Sequence, residues 1–515
     1  MLVLIGCLAV YALVAWQMSP FVPDDSYISF RYAENLAVGE GLTFNPGDTP
    51  VEGYSNFLWI VLLAGAARLG LELTPASVLL GTALGALTLG MLWQLLRRRG
   101  RTGWALAVPV GLLALSGPFV LYAISGMETA LYGALLMALL LAVDGLFARP
   151  GVGRGLALGA TALLLALTRP EGVVALPVVV ACIVVFERRA ERERRRSLLL
   201  ALAAAGLLWL AALVAYHAAR VMFFDALLPT PFISKGVSGS FVDLWLINLR
   251  YFFVRQTHYY TPLGYYYLAI GAPALLALLL VRRNLTAHRT EVTALVVALA
   301  YASIYVNFTD WMPGMRYYAP LVGLLLVPFS LLADEWRAPA AGRGADVSFL
   351  TLGLTLAFLS AFTLAILRLD GQQLQAATQE SLVALGRWLD GAVPDDTLLA
   401  MGDVGATPYY AGLRTIDINP DSLTDRHIAE QGWSSDYFFA VDPDVVILTA
   451  FSLTEPDFTS VHETLYALPR FQSTYERIGV TRNDWYQDRS YWVFFRRGLS
   501  PAPEQLATFP TGIHK

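Results

Sequence analysis

The sequence predicts a polytopic α-helical membrane protein of about eleven transmembrane helices, followed by a small α/β domain. Of the 515 residues, 56% are hydrophobic and only 15% are charged, whereas a soluble protein of this length carries more polar surface. Apolar runs near the length of a bilayer-spanning helix recur up to Leu367, and the composition then becomes polar. We therefore expect a membrane domain over residues 1–368, with outer loops 20–75 and 218–261, and a soluble domain over 369–515.

Each predicted span is an apolar run with few or no charges. The runs are 1–19, 76–96, 103–121, 130–147, 154–168, 172–187, 198–217, 262–281, 291–308, 316–334 and 347–367. The first run shows no small-residue cleavage site followed by a soluble domain, so we expect a retained helix rather than a signal peptide. Phe57 to Leu69 is apolar but short for a span, and we expect it to lie as a helix at the outer membrane surface.

The arginine clusters support this count of spans. Five groups of arginines follow the second, fourth, sixth, eighth and tenth runs: Arg97–Arg101, Arg149 with Arg154, Arg188–Arg196, Arg282–Arg289, and Arg337 with Arg343. With the N-terminus inside, all five groups are cytoplasmic, as the excess of basic residues in cytoplasmic loops requires. An odd number of spans then places the C-terminal domain on the extracytoplasmic side.

The C-terminal segment alternates short apolar runs with turn residues, which is typical of strands in a small α/β domain. The predicted strands are Leu398–Gly402, Arg414–Ile418, Val445–Thr449 and Tyr491–Phe495, and Gln373–Leu389 is predicted as a helix. The block Gly402–Gly405 follows a predicted strand but does not match a dinucleotide-binding fingerprint.

Charge and motif content exclude several function classes. The net charge of −4 argues against a nucleic-acid partner. Cys7 and Cys182 both lie inside apolar runs, so we expect no disulfide. The sequence contains no zinc-ligand spacing, no Gly-rich phosphate loop and no Ser-His-Asp pattern.

Two adjacent carboxylates, Asp24 and Asp25, come directly after the first span. A carboxylate pair at a membrane surface is costly to keep ionised unless it has a use. Adjacent carboxylates repel each other, which raises one of the two apparent pKa values and suits a general base. The alternative is that the pair caps a helix starting at Ser26, since Asp is a good N-cap residue.

The outer loop 218–261 is basic, whereas the outer loop that contains Asp24 and Asp25 is acidic. It contains Lys235, His258 and several arginines and aromatic residues, although the topological bias disfavours cations on the outer side. An anion such as a lipid phosphate would suit them. The alternative is a set of interfacial residues whose charged ends reach water.

Further charged residues fall at the outer ends of predicted spans: Glu128, Arg169, Glu171, Asp310 and Arg316. All are predicted on the same side as Asp24, which favours one cleft. The alternative is that Arg169–Glu171 and Asp310–Arg316 form ion pairs that stabilise the turns around Pro170 and Pro313.

These blocks together resemble the GT-C superfamily of polytopic glycosyltransferases. Within it, the sequence is most similar to the mycobacterial-type terminal arabinofuranosyltransferases and their bacterial relatives. The blocks are Asp24–Asp25, Phe44–Gly47, Glu52–Trp59, Ser125–Thr129, Thr168–Gly172, Leu227–Phe232 with Lys235, Thr309–Arg316, Gly402–Tyr410 and Asp425–Ala429. They cover most of the chain, and the specificity of the resemblance lies in the spaced set.

The resemblance implies a GT-C-like membrane domain in the bacterial cytoplasmic membrane, with the active site on its outer face. It implies transfer of arabinofuranose or a related pentose or hexose from a polyprenyl-phosphate donor to an envelope glycan or glycolipid, with a first-loop Asp as catalytic base. We expect no obligatory metal, because a polyprenyl monophosphate is a weaker chelator than a nucleotide-sugar diphosphate. Mg²⁺ or Mn²⁺ at Asp24 and Asp25 is the alternative.

The candidate residues divide by expected role. Asp24 is predicted as the base and Asp25 as its electrostatic partner. The donor phosphate is expected on Lys235, Arg316 and Arg169. Other candidates for the cleft are Tyr27, Arg31, Glu52, Tyr54, Glu128, Glu171, His258, Asp310 and Trp311, and candidates for acceptor binding are His427, Tyr409 and Trp433.

Two other functions fit a polytopic membrane protein. A transporter or flippase of lipid-linked sugars typically shows repeated halves and broken helices at the midplane, whereas the ionisable groups of this chain gather outside the span centres. A non-catalytic envelope assembly protein with the same fold is the other alternative, and an intact Asp24-Asp25 pair argues against it.

Overall fold

The computed structural model describes residues 1–18, 20–226, 229–231, 246, 263–307, 312–335, 342–419, 422–458, 460–482, 489–499 and 501–510. Four predicted site residues, Lys235, His258, Asp310 and Trp311, lie outside these residues. The chain divides into two compact units. The first comprises Met1–Pro20, Ser77–His217 and Gly239–Gly371, and the second comprises Phe21–Ala76, Ala218–Ser238 and Gln372–Lys515.

The first unit is built from apolar helices. Its helices, some of which extend past the unit's ends, are Leu2–Met18, Leu73–Arg98, Trp104–Ala114, Gly117–Ala123, Thr129–Ala148, Val152–Thr168, Ala175–Glu187, Arg192–Phe224, Leu263–Leu280, Arg289–Tyr305, Leu321–Phe329, Leu332–Glu335 and Gly342–Ala377, with short 3₁₀ turns at Pro170–Val174 and Arg282–Asn284. Runs rich in Leu, Ala and Val form these helices because a helix satisfies all of its backbone polar groups internally.

The chain is a multi-pass membrane protein. Among the described residues, six helices are long and apolar enough to cross a bilayer. The helices Trp104–Ala114 and Gly117–Ala123, which meet at a bend of 56°, make a seventh if they count as one span. Leu2–Met18 and Val152–Thr168 are apolar but shorter. The count of eleven spans and their orientation stay predictions.

Ion pairs join several helix ends of the first unit. Glu291, at the start of Arg289–Tyr305, accepts from Arg99 at 3.1 Å and from Arg101 at 3.3 Å. Glu187 binds Arg194 at 2.7 Å and Arg289 at 2.6 Å. The arginine pattern predicts one membrane side for all of these helix ends, and these contacts bring them together.

The second unit combines the first loop with the C-terminal domain. The first loop contributes the helices Asp24–Val38 and Phe57–Arg68, which pack against each other. The described helices of the C-terminal domain are Ala384–Ala392, Ala406–Ala411, Arg426–Gln431, Ser435–Val441, Ser460–Tyr466, Pro469–Thr474 and Pro503–Leu506. A π-helical turn, Thr378–Val383, joins Gly342–Ala377 to Ala384–Ala392, so the predicted helix Gln373–Leu389 is part of a longer helical segment.

Five strands of the described residues form one mixed sheet. They are β1 (Leu398–Met401), β2 (Arg414–Asp417), β3 (Val445–Ala450), β4 (Tyr475–Arg482) and β5 (Ser490–Arg496), in the order β2-β1-β3-β5-β4. β1 pairs in parallel with β2 and β3, whereas β5 is antiparallel to β3 and β4. β4 was not among the predicted strands; it is a partly exposed edge strand, and its charged residues disfavour pairing of the free edge with another chain.

His462 is a buried titratable group next to β3. Its Nδ1 accepts the backbone N–H of Thr449 at 2.9 Å, and only 1% of the residue is exposed. Its Nε2 has no hydrogen-bond partner among the described residues. Burial lowers the pKa of His462 from 6.5 to about 4, so the ring is neutral in the folded protein.

We expect acidification to destabilise the C-terminal domain through His462. Between about pH 6.5 and pH 4 the unfolded state is protonated at this histidine and the folded state is not. The free energy of unfolding therefore decreases as the pH falls, in total by on the order of 3 kcal/mol. His462→Asn keeps an acceptor for Thr449 but does not titrate. Unfolding midpoints of the purified protein at pH 7.5 and pH 4.5 should therefore fall less in the variant, and equal falls would contradict the assignment.

Candidate functional site

Asp24 and Asp25 form the first turn of the first-loop helix. The helix begins at Asp24 after Pro23, whose φ of −70° and ψ of 161° are extended, and no side chain caps it. The alternative of a helix starting at Ser26 with an Asp cap is therefore wrong by two residues. Carboxylates are favourable in a first turn because they face the positive end of the helix dipole.

The carboxylate of Asp24 is bound by backbone groups of the C-terminal domain. Its Oδ1 accepts the N–H of Ala406 at 2.6 Å, and its Oδ2 accepts the N–H of Gly405 at 3.2 Å. Gly405 and Ala406 follow β1 and open the short helix Ala406–Ala411. Residues about 380 positions apart in the sequence thus fix the orientation of this carboxylate.

The surroundings of Asp24 favour its protonated form. Burial raises the pKa of Asp24 well above its usual value, and the negative charges of Asp403 and Asp25 raise it further. The N–H groups of Ala406 and Gly405 act in the opposite direction, because they bind the charged carboxylate. The result is a carboxyl group with a raised pKa, which suits a general base.

Arg31 lies deep in the second unit. Its Nε donates to the carbonyl of Phe44 at 2.7 Å, one Nη donates to Pro408 at 2.6 Å, and the other donates to Leu413 at 2.7 Å and to Asn45 at 3.1 Å. Burial lowers the pKa of Arg31 to about 10, so it stays charged at neutral pH. The two Nη nitrogens of Arg31 thus join the first loop to the C-terminal domain, while its Nε binds within the first loop.

Other predicted residues of the first loop are also packed inside the second unit. Glu52 forms a buried ion pair with Arg220 at 2.6 Å. The ring of Tyr54 packs edge-on against Tyr32, with centroids 4.8 Å apart. Tyr27 lies 5.5 Å from the ring of Tyr409, which supports a packing role for both.

The first unit contains a separate charged cluster around Arg169. The buried guanidinium of Arg169 donates to one carboxylate oxygen of Glu128 through Nε at 2.9 Å and Nη2 at 2.8 Å. Nη2 also donates to the hydroxyl of Thr129 at 2.8 Å, and Nη1 lies 3.9 Å from Glu171. The positive charge of Arg169 is therefore already compensated by two carboxylates.

Arg316 adjoins this cluster through Tyr317. The ring of Tyr317 lies 5.3 Å from the guanidinium carbon of Arg169 and 4.9 Å from that of Arg316, and its hydroxyl accepts from Arg316 at 2.9 Å. Tyr305 donates its hydroxyl to Glu171 at 3.1 Å. The predicted set of Glu128, Arg169, Glu171 and Arg316 thus comes together, as the pattern of span ends indicates.

The acceptor candidates lie on the C-terminal domain. The ring of His427 stacks on Tyr437 with centroids 3.9 Å apart. Trp433 is partly buried and packs against the apolar core of the domain. Tyr409 donates its hydroxyl to Glu34 of the first loop. Of the three, His427 and Trp433 therefore remain the better candidates for contact with a ligand.

The described residues contain no group of three or more His, Cys, Asp or Glu side chains placed to hold a metal ion. A cation bound by both oxygens of Asp24 would displace two backbone N–H groups that already bind them. Mg²⁺ and Mn²⁺ prefer several oxygen ligands, and the expectation that no metal is obligatory stays a prediction.

Sequence comparison gives no activity for the chain. Residues 366–495 match the model of a family described as a domain of unknown function, DUF8728. No curated protein matches the sequence.

Comparison with solved structures shows the fold. ArnT from Cupriavidus metallidurans bound to undecaprenyl phosphate matches with a TM-score of 0.59 and 16% identity, over 97% of this chain and 98% of ArnT. The oligosaccharyltransferase AglB from Archaeoglobus fulgidus, in complex with an inhibitory peptide and a dolichol-phosphate, matches with a TM-score of 0.56 and 13% identity, over 86% of this chain and 69% of AglB.

The chain has the fold of the GT-C glycosyltransferases. The arabinofuranosyltransferase AftD from Mycobacteria shares it, with a TM-score of 0.52 and 15% identity over 96% of this chain and 40% of AftD. The predicted resemblance is thus confirmed for the fold.

Sequence reasoning missed three residues next to Asp24. Gly405 and Asp403 belong to the block Gly402–Tyr410, and Tyr491 lies on β5 and donates its hydroxyl to Asp403 at 2.9 Å. A pair of glycines directly after a predicted strand was the available signal, because such a loop often holds an anion. In this chain the anion is the side chain of Asp24.

Proposed function

We propose that the chain is a glycosyltransferase that uses a polyprenyl-phosphate-linked sugar. The observation that carries the proposal is the carboxylate of Asp24, next to Asp25, held by two backbone N–H groups of the C-terminal domain in a chain with the GT-C fold. Two solved structures with this fold contain dolichol-phosphate and undecaprenyl phosphate, which supports a lipid-phosphate donor. The similarity to AftD supports arabinofuranose or a related sugar, and an envelope glycan or glycolipid as acceptor.

The proposed reaction needs one base. An acceptor hydroxyl attacks the anomeric carbon of the sugar, the bond between that carbon and the phosphate oxygen breaks, and polyprenyl phosphate leaves with the bonding electrons. The proton of the hydroxyl passes to Asp24, whose raised pKa suits proton transfer near neutral pH. Asp25 adds negative charge beside it. No step requires a metal ion bound to Asp24.

We propose that basic residues predicted on the outer side bind the donor phosphate, with Arg316 and Lys235 ahead of Arg169. Arg169 already binds Glu128 and approaches Glu171, so a phosphate would compete with two carboxylates. Lys235 lies outside the described residues and is included because of its position in the basic outer loop.

Charge removal at Arg316 should weaken donor binding. Arg316→Gln and Lys235→Gln are each expected to raise the Kd of the donor lipid by about tenfold, since a charge-assisted hydrogen bond is worth about 1.5–3 kcal/mol. The rate at saturating donor should change less, because the interaction is already made in the ground state. Unchanged donor affinity in both variants would show that the phosphate is bound elsewhere.

We further propose that the C-terminal domain contacts the acceptor, on the outer face of a bacterial cytoplasmic membrane. His427 stacked on Tyr437 offers a planar face for a sugar ring, and Trp433 adds a second aromatic surface. His427→Ala and Trp433→Ala should each raise the KM for the acceptor severalfold without changing donor affinity. Equal KM values in both variants and the wild type would assign these residues to packing alone.

The lipid that purifies with the protein tests the proposed function. Wild-type protein extracted with native membrane lipid should carry spent polyprenyl phosphate, whereas an Asp24→Asn/Asp25→Asn double variant should retain the sugar-linked lipid. Mass spectrometry separates the two by the mass of one sugar. The same sugar-linked lipid in both proteins would contradict turnover.

A further inference from the structure

Gly405 is a glycine because Asp24 occupies the space of a side chain. A Cβ atom on Gly405 would lie 2.1 Å from the backbone oxygen of Asp24 and 2.5 Å from its carboxyl carbon. Such distances are well inside van der Waals contact, so any larger residue must displace Asp24 or itself. The φ of Gly405, −88°, is one that other residues adopt, so the reason for glycine is space.

The loop that binds Asp24 lies at the carboxyl end of β1, where the order of the parallel strands reverses. It follows β1, whose neighbours β2 and β3 lie on opposite sides and both run parallel to it. In sheets of this kind, ligands bind outside the carboxyl ends of the strands where the order reverses. Here the first loop places its own carboxylate against the backbone N–H groups of that loop.

Asp403, two residues before Gly405, completes the surroundings of this carboxylate. Its side chain accepts the hydroxyl of Tyr491 at 2.9 Å and lies 3.8 Å from Arg489. The negative charge of Asp403 is one of the causes that raise the pKa of Asp24. The loop thus offers Asp24 two donors and one negative neighbour, all from the C-terminal domain.

Several further hydrogen bonds connect the first loop, which contains Asp24, to the residues that follow Gly405. Arg31 binds the carbonyls of Pro408 and Leu413 on one side of the loop's helix. The side chain of Asn45 pairs with both backbone groups of Thr415, at 2.8 Å and 3.0 Å. Both contacts connect the first-loop segment with the residues that follow Gly405, so the position of Asp24 depends on the whole junction.

We propose that the C-terminal domain sets the geometry of the catalytic carboxylate Asp24, with Gly405 as the positioning residue against which Asp24 packs and Asp403 as the neighbouring carboxylate of the same loop. This rests on the proposed function, in which Asp24 supplies the base. A domain that would otherwise serve acceptor binding alone thereby becomes part of the catalytic apparatus.

Gly405→Ala tests the close contact between Gly405 and Asp24 without changing a carboxylate. The new methyl group should push Asp24 from its two donors, and a displacement of about 1 Å can lower a catalytic rate by about 10²-fold. Gly391→Ala is the matched control, because Gly391 lies in the helix Ala384–Ala392 of the same domain and a Cβ there meets no atom within 4 Å. Transfer by the full-length protein in nanodiscs should fall about 10²-fold in the first variant and stay within about twofold in the second.

Asp403→Asn tests whether the charge of Asp403 raises the pKa of Asp24, and this test is valid even if Gly405→Ala fails to fold. The groups that act on Asp24 are Asp25 on its own helix, Asp403 after β1 and Tyr491 on β5, with Arg489 beside Asp403. Removing the charge of Asp403 removes one cause that raises the pKa of Asp24. Since the base works deprotonated, the acidic limb of the kcat/KM profile should move to lower pH. Asp390→Asn, at an exposed position of the same domain, should leave the profile unchanged.

The outcomes separate the inference from the proposed function. Full transfer by Asp24→Asn would overturn the proposed function, whatever the glycine variant does. An inactive Asp24→Asn together with wild-type rates in Gly405→Ala and a wild-type pH profile in Asp403→Asn would overturn the inference alone. A rate loss in Gly405→Ala with a shifted acidic limb in Asp403→Asn supports it.

Discussion

Replacing Asp24 by asparagine is expected to lower sugar transfer by about 10²–10⁴-fold, the range typical of a lost general base. Asparagine has nearly the same shape, and its amide oxygen can still accept the N–H of Ala406, now 2.6 Å from the carboxylate. It cannot take a proton from the acceptor hydroxyl. The measurement is the initial rate of transfer from native donor lipid by purified protein, together with the thermal midpoint of unfolding.

Asp25→Asn is the matched variant for this prediction. It changes the neighbouring residue of the same helical turn, and we expect a smaller loss because Asp25 contributes charge rather than proton transfer. A fully active Asp24→Asn would contradict the assignment of the base. If Asp25→Asn alone is inactive, the two roles are reversed, and the carboxylate that packs against Gly405 is structural.

Replacing Arg31 by methionine should strongly destabilise the second unit. Arg31 is 7% exposed and donates four hydrogen bonds of 2.6–3.1 Å, three of them to backbone carbonyls. Each hydrogen bond from a charged donor is worth about 1.5–3 kcal/mol, and the buried carbonyls would be left without this donor. We expect a loss of stability on the order of 3 kcal/mol or more, seen as a lower unfolding midpoint and as faster proteolysis of the C-terminal domain.

Arg414→Met is the control for Arg31→Met. Arg414 also joins the first loop to the C-terminal domain, through Asp48 at 2.9 Å, but its side chain is 56% exposed. An exposed ion pair contributes about 0–1 kcal/mol, so this variant should unfold close to the wild type. Equal midpoints for the two variants would show that the buried contacts of Arg31 do not hold the unit together.

Local patterns were sufficient to predict most elements of the fold. The predicted runs 76–96 and 130–147 correspond to Leu73–Arg98 and Thr129–Ala148, because a long apolar run without charges leaves a helix as the main option. The central strand β3 was equally clear, since all six of its residues are buried. The edge strand β4 was missed because its half-exposed pattern of charged and apolar residues resembles a loop.

The contacts of the first loop could not be read from the sequence. Arg31 was predicted as part of a ligand cleft, whereas the structure shows it bound to Pro408 and Leu413. Asn45, from a block cited for the family resemblance, pairs with Thr415. These partners lie some 370 residues further along the chain, and a single sequence carries no signal for such a pairing. The residue type indicated a buried polar contact or a binding role, but the sequence did not indicate which residue would be the partner.

Arg169 illustrates the same difficulty in the first unit. A basic residue at the end of a span is expected to be available for an anion, but Glu128, 41 residues earlier, already binds it at two nitrogens. The Glu128–Arg169 contact follows from the packing of Thr129–Ala148 against Val152–Thr168. Sequence spacing placed both residues at span ends, and only the packing showed that they neutralise each other.

The most direct test of sugar transfer uses purified protein in nanodiscs with polyprenyl-phosphate sugars from native membranes and a glycan acceptor. We expect polyprenyl phosphate and an acceptor heavier by one sugar to appear together in equal amounts, and both to disappear in the Asp24→Asn/Asp25→Asn variant. A flippase or an assembly protein would leave the sugar on its lipid. Intact donor lipid and unmodified acceptor in the presence of folded wild-type protein would contradict sugar transfer by this chain.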